Sequence, residues 1–191
     1  MENKKLIYMD NNATTRVYEE VLEAMLPYFK EKYFNPSSMY SVAGGVHKEM
    51  EKARGQVADF LGCEKVEVCF VSCGSEGDNL AIRGTIEAYP TKNHIITTKV
   101  EHPAVIETCK SLERLGYRIT LLDVDNDGNI NLEELKKSVN ENTAIVSIMY
   151  ANNETGVIND INAIAALVKA KNPDCIVHSD GVQGHMRLET P

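Results

Sequence analysis

Apolar residues occur along the chain in two patterns: short runs that are almost continuous, and longer stretches in which they recur at helical spacing. The short runs are rich in β-branched residues, which is typical of strands covered on both faces. They predict strands at residues 67–72, 94–98, 118–123, 144–149 and 175–180. The helical spacing predicts helices at residues 17–32, 46–61, 76–88, 103–115, 132–139 and 161–170.

Strands and helices alternate in this prediction over most of the chain. That order indicates an α/β fold with a mostly parallel sheet flanked by helices. Ligands on such sheets bind beyond the carboxyl ends of the strands, so polar residues at those points are the candidates for function. The sequence shows neither an internal repeat nor a linker-like tract, which indicates one domain or a piece of one.

The charge balance and the cysteines narrow the classes of partner. The 191 residues include 28 acidic and 20 basic side chains, a formal net charge of −8, without a Lys/Arg-rich run. Nucleic acids and anionic membranes are therefore poor candidates. The apolar runs are too short for a transmembrane helix or a signal peptide, and we expect a cytoplasmic protein. The five cysteines show no C-x-x-C spacing, so we expect neither a disulfide framework nor a metal site.

Polar clusters follow four of the predicted strands and contain groups suited to an anionic, aromatic ligand. Gly74 and Ser75 open a predicted helix, where backbone N–H groups favour phosphate. His102 could stack on an aromatic ring or transfer protons. Asp180 ends a buried strand and therefore invites a cationic partner. Ordinary turn and helix-cap chemistry also accounts for each cluster taken singly.

Taken together, the clusters supply phosphate-binding N–H groups, a flat stacking group, amide donors at residues 151–156 and a carboxylate. Pyridoxal 5′-phosphate needs this set of groups. A carboxylate beside its ring nitrogen keeps the ring protonated, which makes the ring an electron sink. The sequence thus predicts a pyridoxal-phosphate site at one edge of the sheet.

The same clusters resemble those of cysteine desulfurases of the NifS/IscS type, which are class-V aminotransferase-like, fold-type I pyridoxal-phosphate enzymes. Further motifs similar to that family lie at residues 10–15 (DNNATT), 35–38 (NPSS), 51–54 (E-x-A-R), 147–149 (SIM) and 151–154 (ANNE). The resemblance runs in order over roughly residues 6–183. It implies the large domain of a fold-type I enzyme, incomplete at its C-terminal end, with residues 1–15 as an N-terminal segment and 16–191 as the partial domain.

The resemblance also implies six cofactor-binding residues, namely Gly74, Ser75, His102, Asn153, Asp180 and Gln183. Gly74 and Ser75 would hold the phosphate, and His102 would stack on the ring and act as the catalytic residue.

At the other end of the cofactor, Asp180 would pair with the pyridine nitrogen, and Asn153 and Gln183 would reach the phenolic oxygen. The implied reaction converts L-cysteine to L-alanine and passes the sulfur as a persulfide to an acceptor or scaffold protein, for iron–sulfur cluster or thiocofactor assembly. Members of the family are expected to form homodimers.

Some family features are missing from the sequence. The lysine that joins the cofactor lies further along the family's chain than the eleven residues that follow Asp180 here. None of the five cysteines matches the sulfur-carrying cysteine, and Gly181 replaces the usual alanine. We therefore expect this chain alone to be inactive. A non-catalytic interaction module with the same fold is the first alternative.

A calcium-binding protein is the second alternative, because residues 123–134 fit the EF-hand loop at every motif position. Asp123, Asp125 and Asp127 occupy the first ligand positions, Gly128 the turn and Glu134 the bidentate end. An EF-hand needs an incoming helix, whereas residues 117–122 are rich in strand formers. We expect an acidic turn between a strand and a helix.

Overall fold

The computed structural model describes residues 6–185, 187 and 188. The chain divides into two compact units, Met1–Phe70 and Val71–Pro191. Each unit is described by itself. The division predicted near residue 15 stays a prediction.

The first unit contains two helices that the sequence pattern predicts. Helix α1 is Glu19–Lys30 and helix α2 is Ser41–Leu61, which begins five residues before its predicted start at residue 46. Helix α2 ends at Gly62, whose φ of 70° is the left-handed conformation that glycine adopts without strain. Small residues allow close packing on one side of α2, where Ala43 and Ala58 are buried.

The second unit is a parallel four-stranded sheet with helices on both faces. The strands are β1 (His94–Thr98), β2 (Arg118–Leu122), β3 (Thr143–Ser147) and β4 (Ile176–His178), in the spatial order β2-β1-β3-β4. The helices are α3 (Gly74–Ala88), α4 (Pro103–Glu113), α5 (Leu132–Ser138) and α6 (Ile161–Lys171). The predicted α/β class and four of the five predicted strands are confirmed. In the described part of the chain, none of the helices has both the length and the apolar character needed to cross a membrane.

Alternating side chains of the central strands divide the core into two layers. Ile95 of β1 packs with α3 and α4 on one face, in a cluster that includes Ile82 and Val105. Ile96, the next residue of the strand, packs on the other face with Leu135 of α5 and with α6. This arrangement explains why the strands appear in the sequence as continuous apolar runs, because both faces of the sheet are covered.

The strand predicted at residues 67–72 is wrong. A 3-10 turn at Lys65–Glu67 replaces its beginning, and no described segment forms a β-ladder with the residues that follow. The guanidinium of Arg54 in α2 donates to the carbonyl of Val68 and lies 4.7 Å from the centre of the Phe70 ring. A strand is stabilised by pairing with a neighbouring strand. This apolar run has no such neighbour among the described residues, and its contacts with Arg54 hold it instead.

His94 is a buried histidine that joins three strands. Its Nδ1 lies 2.9 Å from the hydroxyl of Thr143, and its Nε2 lies 2.8 Å from the hydroxyl of Thr120. Burial, assisted by the charge of Arg118, lowers the pKa of His94 to about 4. The imidazole is therefore neutral at physiological pH and serves as a satisfied core group.

Candidate functional site

Three of the four polar clusters lie where strands β1, β3 and β4 end, and these strands are neighbours in the sheet. The cluster at Gly74 and Ser75 follows residues 67–72, which do not form the predicted strand. The segments that follow β3 and β4 also stay close together, since the N–H of Ile148 donates to the carbonyl of His178 at 3.1 Å. Two residues further on, the N–H of Tyr150 donates to the carbonyl of Asp180 at 2.9 Å. The loops after β3 and β4 therefore run side by side along this rim.

The N-terminus of α3 is the part of the rim that the sequence predicts to bind an anion. Cys73 is extended, and Gly74 and Ser75 begin the helix with exposed side-chain positions. A Cβ on Gly74 would lie 3.1 Å from Cγ2 of Val182, so this glycine permits the loop after β4 to approach. Hydrogen bonding from the N–H of Glu76 and from Ser72 lowers the pKa of the exposed Cys73 thiol, which shows that the helix start favours negative charge.

His102 begins helix α4 and remains exposed. Its Nδ1 accepts a hydrogen bond from the N–H of Ala104 at 3.1 Å. This bond places the ring proton on Nε2 and fixes the orientation of the imidazole at the start of the helix. A ring held in this way can present a face to a flat ligand.

Two buried side chains connect the loop that carries His102 to the loop after β3. Oε1 of Glu101 accepts from the N–H of Met149 at 3.0 Å. The amide Nδ2 of Asn152 donates to the carbonyl of Val100 at 2.9 Å. These bonds fix the position of the partly buried neighbour Asn153, which makes a polar interaction of its own.

Asp180 and Gln183 lie on the loop after β4. Oδ1 of Asp180 accepts from the N–H of Val182 at 3.0 Å, which sets the direction of the carboxylate. The side-chain oxygen of Gln183 accepts from the guanidinium of Arg187 at 2.6 Å. The role predicted for Gln183 requires its amide nitrogen, because a phenolate oxygen accepts hydrogen bonds.

Two buried acids outside the predicted ligand set, Asp78 and Glu101, are influenced by the charge of Asp180. Asp78 of α3 is 5% exposed, and burial, followed by the charge of Asp180, raises its pKa to about 6. Glu101 is 6% exposed, and burial raises its pKa to about 7, with Asp180 and Asp78 adding to the effect. The sequence does indicate that Asp78 is buried, because helical spacing places it on the same face of α3 as the apolar residues Ile82 and Ile86.

His178 of β4 lies between the sheet and helix α3. Its Nδ1 is 2.9 Å from the hydroxyl of Ser147, and its Nε2 is 3.7 Å from Oδ1 of Asp78. Burial lowers the pKa of His178, although Asp180 acts in the opposite direction. Ser147 is fully buried, so this serine, histidine and aspartate serve to connect the sheet to α3.

The acidic loop after β2 has the geometry of a turn. Strand β2 precedes it, so the incoming helix of an EF-hand is replaced by a strand. Oδ1 of Asp125 accepts from the N–H groups of Asp127 and Asn129, both at 2.9 Å, and Asn131 caps helix α5. Among the residues that the structure describes, no group of three or more His, Cys, Asp and Glu side chains is placed to hold a metal ion.

Comparison with known proteins identifies the family. Residues 7–190 match the class-V aminotransferase family. The chain belongs to that family. It is 54% identical over 178 residues to cysteine desulfurase 2 of Trichormus variabilis, covering 93% of this chain and 44% of the relative. It is 45% identical over 188 residues to cysteine desulfurase IscS of Clostridium botulinum, covering 97% of this chain and 47% of the relative.

Solved structures show the same relationship to the class-V aminotransferase family. A NifS-like protein has a TM-score of 0.88 and 44% identity, covering 91% of this chain and 48% of its own. A second structure, SspA in complex with cysteine, has a TM-score of 0.85 and 32% identity, covering 90% of this chain and 49% of its own. The predicted resemblance to NifS/IscS-type cysteine desulfurases is confirmed, and the family depends on pyridoxal phosphate. The chain spans about half the length of the relatives it matches.

Proposed function

We propose that this chain forms the cofactor-binding part of a pyridoxal-phosphate-dependent cysteine desulfurase. One arrangement carries the proposal. The start of helix α3, which favours anions, and a cluster of three carboxyl groups belong to the same unit and adjoin neighbouring strand ends. Pyridoxal phosphate has an anionic phosphate and a ring nitrogen that can carry a proton, so the two ends of the site match the two ends of the cofactor.

The residues of the rim fit the cofactor on their own chemistry. Burial and, to a smaller extent, the charge of Asp180 raise the pKa of Asp78 to about 6 and that of Glu101 to about 7. A cationic ring nitrogen at Asp180 relieves the repulsion that this charge causes. At the other end, the first N–H groups of α3 and its dipole attract phosphate, and the N–H of Glu76 lowers the pKa of the Cys73 thiol in the same way.

Each predicted residue then has a defined task. Gly74 and Ser75 bind the phosphate, and His102 covers one face of the ring. Asp180 holds the proton on the ring nitrogen, while the amides of Asn153 and Gln183 bind the ring oxygen. When bound, pyridoxal phosphate would supply an electron sink that stabilises negative charge at the α-carbon of the substrate.

The proposal also includes L-cysteine as substrate and a sulfur-accepting or scaffold protein as partner. It further includes a homodimer and a cytoplasmic location. The substrate is supported by the names of the relatives and by the solved complex of SspA with cysteine. Transfer of the sulfur toward iron–sulfur clusters or thiocofactors follows from the resemblance to NifS/IscS-type enzymes.

Binding of pyridoxamine 5′-phosphate tests the proposal, because this cofactor form lacks the aldehyde that reacts with surface lysines. We expect Asp180→Ala to weaken binding about tenfold to a hundredfold, since hydrogen bonds to charged groups contribute about 1.5–3 kcal/mol. Asp174→Ala, a change at an exposed acid of the same unit, is the matched control and leaves the affinity unchanged. Equal affinity for wild type and Asp180→Ala, or binding by neither, favours a non-catalytic module and refutes the proposed site.

The 191-residue polypeptide is expected to bind the cofactor without releasing sulfide from L-cysteine. Residues 181–191 contain no lysine, and none of the five cysteines matches the family's sulfur carrier. The measurement compares sulfide release by the chain with that by free pyridoxal phosphate. A faster rate with the chain contradicts this part of the proposal.

A further inference from the structure

The buried acids Asp78 and Glu101 lie behind the candidate rim without forming part of its predicted ligand set. Glu101 uses Oε1 to accept from the hydroxyl of Thr98 at 2.9 Å and from the N–H of Met149 at 3.0 Å. Its Oε2 is buried and has no hydrogen-bond partner among the described residues. A buried carboxylate with one unsatisfied oxygen is costly, so this carboxyl favours its neutral, protonated form.

Asp78 approaches the rim from the other side, on helix α3. Nε2 of His178 lies 3.7 Å from Oδ1 of Asp78, which exceeds hydrogen-bonding distance. The burial of His178 lowers its pKa and disfavours the imidazolium that would neutralise Asp78. Asp78 therefore has a weak partner for its negative charge.

The charged and titratable groups that face these two acids come from each element packed against them. Helix α4 contributes His102 at its start, which would favour the ionised form of Asp78 only when its ring is protonated, and Cys109, whose pKa burial raises to about 12. Strand β4 contributes His178, and the loop after β4 contributes Asp180. Asp180 opposes ionisation of both acids, and it is the residue that meets the ring nitrogen in the proposed function.

We infer that Asp78 and Glu101 are positioning residues that link occupancy of the rim to proton release: when a cationic ring nitrogen binds at Asp180, a proton leaves this buried carboxyl pair for the solvent. The inference rests on the proposed function, since it requires the ring nitrogen to lie at Asp180. The charge balance is simple. Without the ligand, burial and, to a smaller extent, the charge of Asp180 disfavour the ionised acids. The positive charge of the ligand favours ionisation, so a carboxyl gives up its proton and becomes a carboxylate.

The linkage gives the rim a pH-dependent affinity for cationic rings. Below the pKa values of about 6 and 7, Asp78 and Glu101 hold protons that binding must displace. Above them, both acids are already ionised and add to the attraction. Since one pKa unit of coupling corresponds to about a tenfold change in affinity, wild type should gain roughly tenfold more affinity than an uncoupled variant between pH 5 and pH 8.

Calorimetric titration of the chain with pyridoxamine 5′-phosphate measures this linkage. Titration at pH 6.5 in two buffers of different ionisation enthalpy gives the number of protons released on binding. We expect the wild type to release more protons than Asp78→Asn, Glu101→Gln and the double variant, with the double variant lowest. Proton exchange by the ligand itself is common to all variants and cancels in the difference. Asp174→Asn, at an exposed acid, should match wild type.

An infrared difference spectrum of the wild type provides a measurement that does not depend on how the variants fold. Ligand addition should remove a protonated-carboxyl C=O band. If pyridoxamine phosphate binds with the same proton release in wild type and double variant, and the band persists, the inference is wrong while the proposed function stands. If pyridoxamine phosphate does not bind at all, the proposed function and the inference both fail.

Discussion

Substitution of Glu101 by glutamine should stabilise the protein at alkaline pH and have a much smaller effect at acidic pH. Glutamine keeps a side-chain oxygen that can accept from Thr98 and Met149, but it cannot ionise. In the wild type, a carboxylate forms inside a site where it is 6% exposed and where Asp78 and Asp180 are also acidic. The variant removes that charge and retains the link between the two loops.

The magnitude follows from the pKa of Glu101, which rises from 4.5 to about 7 on folding. Because the folded-state pKa is the higher one, the folded protein binds the proton more tightly than the unfolded chain. The resulting stability is fully present below pH 4.5 and is lost as the pH rises through 7. Between pH 5 and pH 8 the wild type should lose roughly 2–3 kcal/mol from this group, and Glu101→Gln should not.

Urea denaturation of both proteins at pH 5 and pH 8 tests the calculation. The informative quantity is the difference in unfolding free energy between variant and wild type, because titrating groups that do not interact with Glu101 contribute equally to both. Glu113→Gln, at an exposed glutamate of helix α4, should give a small difference that does not change with pH. A difference for Glu101→Gln that is the same at both pH values refutes the assignment of Glu101 as a buried acid with a raised pKa.

Three further predictions concern the core, the acidic loop and association. His94 has a folded pKa of about 4, below its unfolded value of 6.5, so its contribution to stability is lost on acidification. In the same urea assay, His94→Gln should therefore gain stability relative to wild type as the pH falls from 6.5 to 4. Millimolar calcium should leave the melting temperature unchanged, and a saturable increase that Glu134→Gln abolishes contradicts the turn. Met39, Val66, Leu6 and Met9 are more than four-fifths exposed, so sedimentation at tens of micromolar should show a dimer or a larger species, and monomer alone opposes this prediction.

The strands and helices of the second unit could be predicted because their local pattern and their packing agree. The prediction for β1 matches residue by residue, since residues 94–98 are all buried and His94 bonds to both neighbouring strands. The prediction at residues 67–72 failed although its composition is equally strand-like. Pairing depends on what lies alongside a segment, and the local pattern does not contain that information.

The location of the rim could be predicted, whereas its electrostatics could not. Parallel strands end at one edge, so the order of strands was enough to bring the loops carrying His102 and Asp180 together. The burial of Asp78 depends on how α3 packs against β3 and β4, and the burial of Glu101 depends on its bond to Met149, 48 residues away in sequence. These contacts are tertiary, so a sequence pattern shows the two acids as ordinary members of a helix and a loop.

The position of these acids gives a physical reason for the proposed specificity of the rim. A single exposed carboxylate attracts any cation weakly, because water screens it. Asp180 lies beside two buried acids, so a cation at that point interacts with three carboxyl groups, two of them removed from solvent. An anionic phosphate is favoured at the start of α3 and repelled by the acids. In the proposed function, the rim would select a ligand by the separation of its charges and would fix the direction in which a ring bearing both a phosphate and a protonated nitrogen binds.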